Sequence, residues 1–392
     1  MHLTPVRRGA IALALCAASA TALQGLTLPA AHASTPSSAS ASASPVGSIE
    51  TATARTFAAS LADPAWRAQV RSAALGSEHV DLGALTARTG APAGLESAVA
   101  GADQRIAAAK GLGTKTGSLL RLRLGADSMR AALTPSAVPL VAVAGNDDSA
   151  TTVTAYDSSG RAHTLSARQT PRQPVYVVDI DVSKAMALGL AQVDQQFAKS
   201  GLTAPAATTG KTTTGKTATG EVSPKAAAAG GFWTTKITSV YLNDDEEPWT
   251  SGDAEVFSIV SGFGFDGKVR VDTVTMPYLD NDHTTYYPNQ ILVNWSSYKY
   301  NLADVVMMED DGDTNYSSLA KAIADALLYI TDQGAYTPLV NAILDAIPTS
   351  WWTNDPDYVD SWYTLAQSSN GRLNGARGNG WMTVTPYFVQ QF

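Results

Sequence analysis

The chain has 392 residues, with 27 Lys plus Arg against 35 Asp plus Glu, and a formal net charge of −8. An acidic balance argues against a nucleic-acid partner, because phosphate binding needs clustered Lys and Arg. The single cysteine, Cys16, falls inside the leader described next, so a mature form keeps no thiol for disulfides, thiolate metal sites or a cysteine nucleophile.

Residues 1–33 read as a signal peptide. Arg7 and Arg8 make a positive start, Gly9 to Leu15 open a broken apolar run, and Ala31-His32-Ala33 offers a small-x-small cleavage pattern before Ser34. The run is too short and interrupted for a transmembrane helix, and no later stretch is long enough either. Leu15 in front of Cys16 disfavours a lipid-anchored cysteine. Losing Arg7 and Arg8 with the leader takes the net charge from −8 to −10. The expected product is therefore secreted and extracellular.

Residues 34–46 form a Ser/Ala/Pro spacer. A domain over residues 47–202 follows. Ile49, Phe57 and Leu61 mark one helical face. Asp63-Pro64 predicts a cap and a first-turn proline for a second helix through Trp66 and Val70. Leu95 to Lys110 is Ala-rich and helix-prone. Leu120, Leu122 and Leu124 alternate with Arg121 and Arg123, the pattern of a half-buried strand. Val138 to Ala144 is apolar. Thr151–Tyr156 and Arg161–Leu165 flank the turn Asp157-Ser158-Ser159-Gly160 and predict a hairpin. Val175–Ile180 predicts another strand. Met186, Leu190, Val193 and Phe197 predict a helix capped by Ser183. This half reads as a small α+β domain.

Residues 203–231 carry almost no bulky apolar side chain and read as a low-complexity linker. The halves on either side differ in charge. From Gly231 onward there are 21 acidic and 7 basic residues, a net of −14, whereas Ser34 to Gly230 holds 18 basic and 14 acidic residues, a net of +4. Such asymmetry suggests divided roles.

Residues 232–392 read as an acidic, mainly β domain. Trp233–Leu242, Ala254–Val260, Val269–Met276, Ile291–Trp295 and Val305–Met308 are rich in β-branched and aromatic residues, with Gly, Asp, Asn or Pro between them. Two helices are expected next. Leu319, Ile323, Leu327 and Ile330 line the first, and Leu339, Ile343, Leu344 and Ile347 line the second after Thr337-Pro338. Met382–Val389 predicts a last strand. The expected architecture is a β-sandwich with two added helices.

Three acidic runs stand at expected strand ends. They carry Asp244, Asp245 and Glu247; Asp280 and Asp282; and Glu309, Asp310, Asp311 and Asp313. Calcium takes roughly six to eight oxygen ligands, which clustered carboxylates supply. The runs are therefore candidate calcium ligands, although none matches the EF-hand spacing. The alternative is solvated loops, with Asp313 or Asn315 capping the next helix. Trp249, Trp295, Trp351, Trp352 and Trp362 are candidates for a sugar- or membrane-facing surface, against the stronger expectation that sandwich tryptophans are core.

Catalytic signals are thin. After the leader, histidine occurs only at His79, His163 and His283, with no HExxH and no GxSxG. Ser296–Lys299 matches SxxK but follows a strand rather than opening a helix. Gly210–Thr212 sits in the linker, without P-loop context. The reading favours a binding or surface-interaction module with an extracellular glycan, protein or membrane surface as partner. The alternative is a secreted hydrolase, possibly carbohydrate-acting, with a carboxylate pair that includes Glu247 or Glu309.

The runs Thr234–Ile259 and Val305–Tyr316 resemble a family of bacterial exported proteins known as domain of unknown function 3103. Pro139–Asp181 is similar to that family too. The resemblance covers most of the mature chain and implies no established activity, so it transfers no catalytic role.

Overall fold

Local chemistry starts the first helices as expected. In the computed structural model, which describes residues 44–145, 150–203, 230–243, 255–279, 281–310, 312, 314–347 and 358–390, α1 spans Pro45–Ser60 and α2 spans Pro64–Gly76. Ser44 caps α1, accepting from the Gly47 amide at 2.9 Å. Asp63 caps α2, accepting from Ala65 N–H at 2.8 Å, with Pro64 in the first turn where its missing N–H costs nothing. β1 (His79–Asp81), α3 (Leu82–Thr86), α4 (Leu95–Ala109) and β2 (Leu120–Leu124) follow. Next come β3 (Leu140–Val143), the hairpin β4 (Thr152–Tyr156) and β5 (Ala162–Ser166), β6 (Val175–Ile180) and α5 (Val182–Lys199).

The six strands form one sheet in the order β1-β2-β6-β3-β4-β5, antiparallel except for β3 with β6. Phe57, Trp66, Leu85, Val99 and Ile106 of the helices pack on one face, against Leu122, Val141, Tyr176 and Val178. The expected alternation in β2 is present, but its polar side is also covered. Arg121 and Arg123 are buried and reach Asp179 of β6 at 3.2 and 3.5 Å. The cap of α5 differs from expectation. Asp181 accepts from Lys184 N–H at 3.1 Å, while Ser183 lies in the first turn and donates to Glu255 at 2.5 Å.

The C-terminal part is mostly β. It contains β7 (Gly231–Leu242), β8 (Val256–Phe263), β9 (Val269–Thr275), β10 (Thr285–Tyr286), β11 (Gln290–Asn294) and β12 (Leu302–Glu309). Helices α6 (Tyr316–Leu327) and α7 (Val340–Ala346) come next, then β13 (Tyr358–Ala366), β14 (Gly371–Asn374) and β15 (Gly380–Gln390). Two antiparallel sheets result. One runs β10-β7-β15-β14 with β11 also on β7, and the other runs β13-β12-β8-β9. Asn315 caps α6, accepting from Ser318 N–H at 2.9 Å.

Alternation along β12 sorts its side chains between two cores. Val305 and Met307 join Ile237, Val240, Met382 and Val384 of the facing sheet. Val306 and Met308 point the other way, into a core with Leu319, Ile323, Val340 and Ile343 of α6 and α7. That second core also holds Met186, Leu190, Val193 and Phe197 of α5. The helix that ends the N-terminal half thus packs inside the C-terminal core, and the described residues cluster as one compact unit. Close approach of α5 and α6 requires Gly189, where an added Cβ would come within 2.2 Å of the Tyr316 ring.

Candidate functional site

The densest buried polar chemistry lies where the end of α4, the start of α6 and the end of β12 meet. Lys110 follows the last turn of α4 and is fully buried. Its Nζ donates to both Asp310 oxygens, at 3.0 and 3.2 Å, and to the Gly312 carbonyl at 2.8 Å. Asp310 Oδ1 also accepts from Gly312 N–H at 3.2 Å, and Oδ2 accepts from the Tyr316 hydroxyl. Backbone links surround the pair. Tyr316 N–H donates to the Lys110 carbonyl at 3.1 Å, Asn315 Nδ2 to the Ala109 carbonyl at 2.6 Å and Ser317 Oγ to the Gly111 carbonyl at 2.7 Å. Gly111 has φ +64°, and a Cβ there would stand 2.7 Å from the Asn315 side-chain oxygen.

Of the nine acids expected to bind calcium, three are described. Asp310 is committed to Lys110, Gly312 and Tyr316. Glu309 is buried; by alternation along β12 it falls on the side facing the other sheet. Asp282 is exposed. Asp244, Asp245, Glu247, Asp280, Asp311 and Asp313 lie outside the described residues, so Glu309 is the one of the two candidate hydrolytic acids whose surroundings are described. Among the described residues, no group of three or more His, Cys, Asp or Glu is placed to hold a metal ion.

A second buried carboxylate, Asp304, stands at the other end of β12. It accepts from Leu339 N–H at 2.6 Å, Thr364 N–H at 2.7 Å and Tyr336 OH at 2.9 Å. Burial raises its pKa despite these donors, and burial with the nearby Asp304 charge raises that of Tyr336. Asp272 of β9 accepts from Tyr298 OH at 2.9 Å, and Asp194 of α5 accepts from Thr273 Oγ1 at 2.9 Å. Burial pushes both carboxyls up, and the Asp272 charge adds to the rise at Asp194. On the β4–β5 hairpin, His163 meets Asp157 at 2.8 Å. Hydrogen bonds from Ser159, then His163, hold Asp157 below the usual carboxylate range.

Sheet β10-β7-β15-β14 carries two kinds of ring cluster. One is a ladder: His283 stacks on Tyr241 at 6.3 Å, Tyr241 on Trp381 at 5.6 Å, and Arg372 covers Trp381 at 4.2 Å. Its ring faces are taken up by one another, as in a cross-strand stabilising ladder. The other cluster is open. At the end where β7 begins and β15 finishes, Trp233, Tyr387 and Phe388 are 47%, 44% and 38% exposed. Trp233 and Phe388, paired in register, meet edge to face at 5.3 Å on one face of the sheet, whereas Tyr387 lies on the opposite face with Lys236 4.6 Å over its ring. Trp295 and Trp362 are core residues, each 3% exposed, whereas Trp249, Trp351 and Trp352 lie outside the described residues. The sequence reading missed the open cluster. Its available signal was the aromatic content of Phe232-Trp233 and Tyr387-Phe388 on strands it had identified.

A cavity of about 100 Å³ between α1 and α4, lined by Thr53, Thr56, Leu95, Val99 and Arg105, has no carboxylate or nucleophile pair on its walls. No described helix is long and apolar enough to cross a membrane. A family model described as "Protein of unknown function (DUF3103)" matches residues 54–392. Neither a curated protein nor a solved structure matches the chain.

Proposed function

The chain belongs to that family of unknown function, and from this membership and the open ring cluster we propose that it is an exported binding protein acting on extracellular polysaccharide. In this reading the two C-terminal sheets make a β-sandwich. Trp233 and Phe388, directly paired across β7 and β15 on one face of that sheet, form its contact surface. The observation that carries the proposal is their joint exposure at one end of β7 and β15. Large exposed apolar clusters mark interaction sites more often than chance, and tryptophan is the side chain most enriched among energetic anchors. Rings with an uncovered face take the apolar faces of pyranose sugars. The Tyr241–Trp381 ladder is not part of this surface, because its faces are already occupied.

Calcium enters the proposal through the acidic runs alone. Asp310 is not among its ligands, since both oxygens already have partners. The loops carrying Asp244, Asp245, Glu247, Asp280 and Asp282 supply the hard oxygen donors such an ion takes.

Pull-down of the full chain on a panel of insoluble polysaccharides, in calcium and in chelator, tests both parts. Binding to at least one glycan, weakened about tenfold or more by Trp233→Ala, is the expected result. Equal binding in calcium and chelator removes the ion from the reading. No binding to any glycan, with capture by lipid vesicles instead, overturns the polysaccharide assignment.

A further inference from the structure

Lys110 and Asp310 stand 200 positions apart in sequence, yet both side chains are fully shielded from solvent. An ordinary ion pair in that position is energetically awkward. Removing two charges from water costs several kcal/mol per ion, and mutual attraction often does no more than cancel the cost. The geometry offers a way to discharge both groups. Nζ faces the Asp310 carboxyl at 3.0 and 3.2 Å, with no third side chain between them.

We propose that Lys110 and Asp310 condense into an intramolecular isopeptide bond. The Nζ–Cγ bond forms, the Cγ–Oδ2 bond breaks, and Oδ2 leaves as water. The ammonium brings three protons. One passes to the carboxylate before attack and frees the nitrogen lone pair, one remains on the amide nitrogen, and one replaces the proton that the Tyr316 hydroxyl gives to Oδ2, so atoms and charge balance without any co-reactant. The surroundings suit the product atom by atom. The remaining N–H keeps the Gly312 carbonyl, now 2.8 Å from Nζ, as its acceptor. The retained Oδ1 keeps Gly312 N–H as its donor, now at 3.2 Å. The departing Oδ2 is the oxygen that the Tyr316 hydroxyl holds. Tyr316 therefore touches the leaving atom and is the group placed to protonate it.

Proximity supplies the rate. Groups fixed in contact react as though at effective concentrations of about 10⁵ M or more. Exclusion of water then favours condensation and protects the amide from hydrolysis. The bond would close the chain between α4 and the end of β12, doing covalently what a disulfide does elsewhere, in a protein whose one cysteine is Cys16.

Peptide mapping of the purified, denatured full chain decides the matter. Trypsin cannot cut after an acylated lysine. The expected species is therefore a branched peptide joining residues 106–115 to residues 300–321, lighter by one water than the two together. Linear peptides that end at Lys110, recovered in full yield, overturn the proposal. Tyr316→Phe keeps the ring against Gly189 and removes the proton donor. It is expected to give a mixture of linked and unlinked chains that shifts toward linked on incubation. Linkage as complete and as fast as in the unmodified protein would overturn the role given to Tyr316. Lys110→Arg, read by the same map, must lack the branched peptide.

Discussion

The two ends of β12 each bury an aspartate on the same face of the same strand, and they solve the problem differently. Asp304 meets only neutral donors, two backbone amides and a tyrosine hydroxyl, all from the C-terminal part. Asp310 meets a cation that stands 200 positions earlier in the chain. Both carboxylates are nearly or fully buried. A local network can satisfy a buried carboxylate with dipoles that the fold already brings nearby. A long-range contact cannot count on such dipoles and uses a full opposite charge. Asp304 therefore fixes how α7 and β13 sit on β12, whereas Asp310 fixes the N-terminal half to the C-terminal core.

Unequal penalties should expose this difference. Lys110→Met keeps the stem volume but leaves Asp310 a buried free carboxylate with neither ammonium partner nor amide link, so it should carry the largest cost, about 3–5 kcal/mol in denaturant unfolding of the full chain. A loss under about 1 kcal/mol would mean that water or rearrangement rescues the site, and the contrast between the two ends would disappear. Asp304→Asn keeps one acceptor oxygen and sets an amide N–H₂ against backbone donors. Its expected cost is smaller, about 1–3 kcal/mol, because the bonds lost come from uncharged donors and no opposite charge is stranded. Equal losses at the two positions would show that the partner's charge is not what distinguishes them.

Asp304 and Asp310 also show what a sequence can and cannot reveal. Both sit in or beside a strand whose apolar run Val305–Met308 is plain from residue type, and the caps at Asp63 and Asn315 follow from local chemistry alone. Strand β13 was missed although Tyr358–Ala366 is rich in aromatic and β-branched residues. Its bulges against β12 break the two-residue alternation, and the buried Asp360 imitates a loop. Ser183 suggested itself as a helix cap because serine is a good one, yet Asp181 stands two residues nearer the turn and takes the role. Lys110 carried no signal at all. A lysine ending an Ala-rich helix looks solvated until the fold brings Asp310 to it across 200 positions. Periodicity and capping are local properties and can be read off. Pairing of buried charges is a property of the assembled core.

A second pair of aspartates gives the smallest effect and the finest test of the same contrast. Among the described residues, Asp272 and Asp194 have hydroxyl partners, Tyr298 and Thr273, and no cation donates to either. Burial raises both pKa values in the folded state. Asp194 stands more open on its helix, so the effect belongs mainly to Asp272. The folded protein then holds a proton at pH values where the unfolded carboxyl, with a pKa of about 3.9, has already released it. Through that window the native state binds more protons than the unfolded state, and stability falls as pH rises from about 4. Asp310, held by Lys110 and Tyr316, lies outside this account. Thermal unfolding of Asp272→Asn between about pH 4 and pH 6 should show a flatter dependence than the unmodified protein. An unchanged slope would mean that Tyr298 already stabilises the ionised carboxylate fully. A single hydroxyl would then serve a half-buried aspartate as well as the lysine serves Asp310, and a long-range contact would have no need of the opposite charge.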